Sequence, residues 1–203
     1  MPILPLSAAA LALSVPSAGG SLKYTDYPEW ALRAEASAAS LVSLSLTPGG
    51  KLFACRSEQE LGDPRLAGDI CSLLRGRRFP HATLRDGTAS YARVQELIRL
   101  FLPDTSDGGR IASLRASPNA EFQVKSLNGQ PSADVDVVLA VNANGSITDC
   151  GPKSGGTSAL IKAACSQSSS FQVPAMTDES GRAVPFVTNW RVRFSVPPPR
   201  LSK

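Results

Sequence analysis

Two cysteine pairs at matching positions constrain this chain more than any other feature. Cys55 and Cys71 lie in the first half and Cys150 and Cys165 in the second. The residues around them correspond at a shift of about 95: Gly50 falls on Gly145 and Cys55 on Cys150. After a one-residue deletion Cys71 falls on Cys165, Gly87 on Gly181, and Ile98-Arg99-Leu100 on Val192-Arg193-Phe194. Two copies of one small unit account for this pattern. The period is too long for a solenoid, in which each repeat leans on its neighbours, so each copy is expected to carry its own core.

Hydrophobic periodicity agrees. Val42, Leu44 and Leu46 alternate with Ser43 and Ser45, and Val137, Leu139 and Val141 alternate with Val138 and Ala140. The shift of about 95 superposes the two apolar sets. Because a one-residue slip swaps the faces of a strand, the shared phase argues for a real duplication. Each strand meets a turn, Thr47-Pro-Gly-Gly50 or Asn142-Ala-Asn-Gly145, whose glycine and asparagine tolerate positive φ and predict a hairpin. The return strand ends at the first cysteine of each pair. A helix then follows, signalled in the first copy by Asp63 as N-cap and Pro64 at its first position. Its apolar stripe is Leu66, Ile70, Leu73 and Leu74; the second helix starts near Thr157 or Ser158 and presents Leu160, Ile161 and Ala164. The last strand runs roughly from Tyr91 to Phe101 in one copy and from Phe186 to Val196 in the other.

The first cysteine of each pair therefore closes a strand and the second rides on the next helix, where a disulfide staples helix to sheet. In the chain-entropy picture each bridge contributes about 3 kcal/mol. The alternatives are a zinc site or a redox pair. Against them, the sequence has no C-x-x-C and a single histidine, His81.

Composition excludes several classes. With 42% hydrophobic and 19% charged residues the chain is globular rather than disordered. The net charge is +4, but the one compact basic run, Arg75, Arg77 and Arg78, reads as a solvated helix end and not as a nucleic-acid surface. The apolar stretch from Ile3 to Val15 is too short, and too interrupted by Pro5, to span a bilayer. Followed by small residues from Ser14 to Gly20, it reads as an export signal over residues 1–19 with cleavage near Ser17 or Ala18, although it lacks a basic start. Paired cysteines point the same way, to an oxidising compartment.

The order of features in the first copy resembles the TonB C-terminal domain family. The residues that carry the resemblance are Tyr27, Pro28, Gly50, Cys55, Arg56, Leu66, Cys71, Arg77, Arg78, Phe79, Ala82, Asp86, Gly87, Ile98 and Arg99. In the second copy Gly145, Cys150, Ala164, Cys165, Phe171, Pro174, Ala175, Gly181, Val192, Arg193 and Phe194 keep the frame. There Phe122 has no following proline, and Ser168 to Ser170 stand where the arginines were. The resemblance implies an α+β fold: two tandem small domains, each a three-stranded antiparallel sheet with a packed helix and one disulfide. The expected layout is a first domain over 24–103, a linker over 104–117, a second domain over 118–197 and a disordered tail over 198–203.

The resemblance also implies a periplasmic, non-enzymatic interaction module that takes its partner by strand addition, with an outer-membrane receptor of TonB-dependent transport as the partner class. Force-transducing members have a membrane helix and a long Pro-rich spacer. Neither is present here, so the expectation is a soluble tandem binding protein without cofactor or metal. The expected docking edge is the last strand, flanked by Arg191 and Arg193 in the second copy or Arg93 and Arg99 in the first, which suits a carboxylate-bearing peptide. Two other readings stand beside it. One is a structural subunit of an envelope assembly. The other is a cysteine-dependent enzyme, for which His81 is the only candidate base. Asp134 and Asp136, two apart on the polar face of a strand, read as solvated side chains rather than an acid and base pair.

Overall fold

The computed structural model describes residues 12–197. A five-residue helix α1 (Glu29–Arg33) leads into the hairpin β1 (Ala38–Leu46) and β2 (Leu52–Gly62). Helix α2 (Pro64–Leu74) follows, then the short β3 (Ala82–Thr83) and the long β4 (Ala89–Leu100). Asp63 caps α2 by accepting from the Leu66 N–H at 2.9 Å, with Pro64 in the first turn, where a missing N–H costs nothing. The buried face of α2, Leu66, Ala67, Ile70 and Leu74, packs on Val42, Leu44 and Leu46.

The second half repeats this order. It comprises β6 (Ser132–Val141), β7 (Ile147–Ser154), α4 (Ser158–Ser168), β8 (Met176–Thr177), β9 (Ala183–Val184) and β10 (Phe186–Ser195). Between the halves lie α3 (Ser106–Ser113) and β5 (Ala120–Gln123), so the segment 104–117, expected as a linker, holds a helix whose Ile111 is fully buried. The repeat extends to backbone detail. Gly50 and Gly145 both have positive φ, +73° and +91°, and their carbonyls accept from Phe79 N–H and Val173 N–H, each at 3.0 Å. A Cβ on either glycine would lie 2.1 or 2.2 Å from the carbonyl oxygen of Phe79 or Val173, so only glycine fits. Both disulfides are formed, Cys55 to Cys71 and Cys150 to Cys165.

The expectation of two small three-stranded domains is overturned. The main sheet is single and mixed, with the order β2-β1-β4-β10-β6-β7; β3 adds to β4 and β5 to β10. The halves join where β4 and β10 run parallel, Tyr91 beside Phe186, Ala92 beside Val187 and Arg93 beside Thr188. A physical reason lies in the last strands. Each is paired along one side with the first strand of its own half, and left alone would present a row of unpaired N–H and C=O groups. Joining them covers the first part of both edges. Past Thr188 the strands diverge, and the Asn189 carboxamide continues the pairing. Its Oδ1 accepts from the Gln95 N–H at 2.9 Å and its Nδ2 donates to the Gln95 carbonyl at 2.6 Å.

A parallel join between equivalent strands turns one half over relative to the other. Side chains that share a register position share a face, so Val187 lies with Ala92 on the α2 side and Phe186 with Tyr91 on the α4 side. The two cores follow that division. The α2 core takes Val138, Ala140 and Val187 from the second half, and the α4 core packs against Phe53 and Tyr91 from the first. Each helix covers its own half and leaves the opposite face of that half to other residues.

Candidate functional site

The four arginines expected at a docking edge are all engaged within the chain. Arg191 reaches across to Asp136 with Nε and Nη2, at 2.7 and 2.9 Å, and Arg193 to Asp134 at 2.7 and 2.8 Å. These are cross-strand partners in the β10 and β6 register. The hydrogen bond from Arg193 is the main cause that holds the Asp134 carboxyl below its usual range. Arg99 donates to the carbonyls of Ala112 and Leu114, at 3.3 and 2.8 Å, and so ties α3 to β4. Strand β10 itself offers no open edge: β6 lines one side, and β4, Asn119 and β5 occupy the other. The open edges of the main sheet belong to β2 and β7.

Arg93 differs from the other three in lining a groove of ≈ 1060 Å³. The groove runs over the face of the first half that α2 leaves bare. Ser43 and Ser45 of β1 and Arg93 of β4 form its floor, since Ser45 pairs with Arg93 and Ser43 with Gln95. Thr177 of β8 and Trp190 of β10 line it from the second half. The Arg93 guanidinium donates to the Pro174 carbonyl at 2.8 Å and the Ala175 carbonyl at 2.9 Å, and lies 4.9 Å from the Phe186 ring centre. Burial holds its pKa below the usual arginine value, with the nearby Glu58 opposing the shift and Arg56 adding to it. Among the described residues, Arg93, Arg56 and Glu58 form no ion pair. The indole N–H of Trp190 is buried and has no hydrogen-bond acceptor.

The matching face of the second half is filled. Residues 13–19, which straddle the expected cleavage point near Ser17 or Ala18, pack there as part of the fold, and cleavage at that point would strip Leu13 and Ser14 from it; the signal's first eleven residues and the 198–203 tail lie outside the described residues. Ser14 forms a two-way bridge with Thr83: its N–H donates at 3.0 Å and its carbonyl accepts at 3.1 Å. Leu13 and Ala18 are 3% and 0% exposed and belong to the core that contains Val138, Ala140 and Val187. Glu96 anchors the far end by accepting from the N–H groups of Ala18 at 2.6 Å and Gly19 at 3.1 Å and from the Ser17 hydroxyl at 2.8 Å.

His81 is exposed and its Nδ1 lies 2.8 Å from the Pro48 carbonyl. Among the described residues, no cysteine is free, no group of three metal-ligating side chains converges, and no helix is long and apolar enough to cross a membrane. Sequence reasoning passed over Ser43, Ser45, Thr177 and Trp190 as site residues. The signal that could have found the first two was present: the shift of about 95 sets Ser43 against Val138 and Ser45 against Ala140, a polar face against an apolar one. Comparison with known proteins gives no relative: no family model, no curated protein and no solved structure matches the chain.

Proposed function

We propose that this chain is a non-catalytic interaction protein of an oxidising, exported compartment, and that it holds a segment of a partner protein in extended form. The observation that carries the reading is the groove over β1 and β4. It is large enough for several residues of extended chain, and serines, a threonine and a desolvated arginine line it rather than a nucleophile beside a base. Two disulfides are consistent with export. Resemblance of the first half to the TonB C-terminal domain family supports strand addition as the mode and the periplasm as the place, with an outer-membrane receptor as the partner class.

An exchangeable partner is favoured over a permanent envelope subunit by the outermost strand. Its exposed residues Arg56, Glu58 and Glu60 are charges of the kind that protect an edge from lasting pairing. The test is binding of fluorescein-labelled peptides, drawn from the periplasm-facing extended segments of outer-membrane receptors, to the intact oxidised protein, followed by anisotropy. Saturable and reversible binding supports the reading. Absence of binding across that set, together with a single stoichiometric envelope complex that survives high salt and detergent, supports the subunit reading instead.

A further inference from the structure

The turned-over duplication gives every residue that holds segment 13–19 a counterpart on the other face. Thr83, which bridges Ser14, corresponds to Thr177 at a shift of 94, since Ala82 pairs with Ser90 as Met176 pairs with Val184. Leu13 and Ala18 share one buried cluster with Val138, Ala140 and Val187, whose counterparts are Ser43, Ser45 and Arg93. Gly151, where a Cβ would lie 3.6 Å from the Leu13 Cβ, corresponds to Arg56. The anchor Glu96 corresponds to Trp190. All these counterparts, Thr177, Ser43, Ser45, Arg93, Arg56 and Trp190, line the one groove.

We infer that this groove is a second, open copy of the site that segment 13–19 fills, and that it takes an extended, carboxylate-bearing segment of a partner paired antiparallel to Thr177 of β8. The inference rests on the interaction reading above and names its site and ligand chemistry.

Backbone geometry supplies the pairing groups. The Asp178 N–H donates to the Arg182 carbonyl at 2.9 Å, just as the Leu84 N–H donates to the Thr88 carbonyl at 2.9 Å. Antiparallel pairs alternate, so the neighbouring residue in each hairpin turns its N–H and C=O outward. At Thr83 those groups meet Ser14; at Thr177, which is exposed, they face the groove side.

Side-chain chemistry supplies the specificity. Val138, Ala140 and Val187 accept Leu13 and Ala18, whereas two serines and an arginine favour polar side chains. Arg56 and Arg93 carry two positive charges against the one negative charge of Glu58. The other acids in the groove wall are already paired, Asp178 with Arg182 at 3.2 Å and Glu179 with Lys51 at 2.9 Å. A carboxylate is thus the complementary group. The anchor is not kept: Glu96 accepts from backbone N–H groups, whereas Trp190 has no acceptor and its indole N–H is buried.

The test starts from a phage-displayed library of random dodecapeptides panned on the intact, oxidised protein, with enriched sequences resynthesised and measured by anisotropy. The expected sequences carry Asp or Glu among small and β-branched residues. Thr177→Pro, which removes the outward N–H, and Ser43→Trp, which fills the floor, should each weaken binding about tenfold or more. Bound peptide should also slow amide hydrogen exchange at Thr177 in the unaltered protein, a readout that stands even if a variant fails to fold. Peptides that bind both folded variants at full affinity and leave Thr177 exchange unchanged overturn this site while leaving the interaction reading intact. Enrichment of basic sequences, or protection of Thr83 in place of Thr177, overturns the assigned chemistry or position. A library that yields no binder overturns both proposals.

Discussion

Asn189 is where the single-sheet architecture can be tested most sharply. Its carboxamide extends the join between the halves past the three-residue parallel register, and it holds both the N–H and the C=O of Gln95. Asn189→Ala removes two hydrogen bonds of about 1 kcal/mol each and leaves two main-chain groups without a partner, which costs about 1–3 kcal/mol more. Because the site is half-buried and water can reach part of it, the lower end applies, and a loss of about 2–3 kcal/mol is expected. With a urea m-value of about 2–3 kcal/mol/M for a chain of this size, the midpoint should fall by about 1 M. The two tryptophans report the halves separately, Trp30 on α1 and Trp190 on β10. In single-tryptophan versions of the protein, both reporters should move together. Asn189→Asp adds a pH signature. The introduced carboxylate accepts from Gln95 N–H but faces the Gln95 carbonyl, so its folded pKa is raised above the usual value near 3.9. Stability from the protonated form is fully present below that value and is lost as pH rises through the folded pKa, so the deficit should be larger at pH 7 than at pH 4. A midpoint shift below about 0.2 M, or reporters that separate into two transitions, would refute the view that the halves fold as one sheet through this contact.

Replacing Cys55 and Cys71 together by serine should cost about 3 kcal/mol, and both tryptophan reporters should register it in urea denaturation because the sheet is shared. Gly50→Ala and Gly145→Ala should each cost about 1–3 kcal/mol for the left-handed backbone, with the clash against the Phe79 or Val173 carbonyl in addition, measured as the fall in thermal midpoint. Hydrogen bonds from Arg193 and Arg85 are the first cause that holds Asp134 and Asp149 below the ordinary carboxylate range. Their contribution is therefore present above the unfolded pKa, near 3.9, and is lost as pH falls through the folded values; the small penalty of Arg85→Met or Arg193→Met should vanish between pH 5 and pH 2 in urea titrations.

Local structure was legible in the sequence because it is set by local chemistry. Alternation placed β1 and β6, the Asp63 and Pro64 pair began α2, and the cysteine pairs mark the staples that form; the expectation that each return strand ends at its first cysteine is overturned, because β2 and β7 stay paired past Cys55 and Cys150 to Gly62 and Ser154. The join was not legible. It depends on two last strands 95 residues apart finding each other, and nothing in the period of either strand encodes a neighbour. The pairing of Arg191 and Arg193 with Asp136 and Asp134 was hidden for a related reason: two arginines two apart and two aspartates two apart become partners only once β10 and β6 have a register. One sign of a second cover on the later half lay within the alternation itself. The second face of β6 carries Val138 and Ala140, and a strand apolar on both faces is a strand covered on both faces.

That same sign separates the two copies in function. A duplication joined through parallel strands must expose equivalent faces on opposite sides of the sheet, and each face needs either a cover or a surface that tolerates water. The second half has Val138, Ala140 and Val187 on its face and keeps them buried in one cluster with Leu13 and Ala18. The first half has Ser43, Ser45 and Arg93 at the same places. An apolar face standing open would invite indiscriminate association, so these polar residues let the groove remain open without that cost. Apolar contacts would also hold a ligand by area alone, whereas hydroxyls and a guanidinium reject any segment that leaves them unpaired. Divergence from apolar to polar at three equivalent positions, with the strand-pairing threonine kept at both Thr83 and Thr177, is the change expected when one copy holds its segment permanently and the other discriminates among segments that come and go.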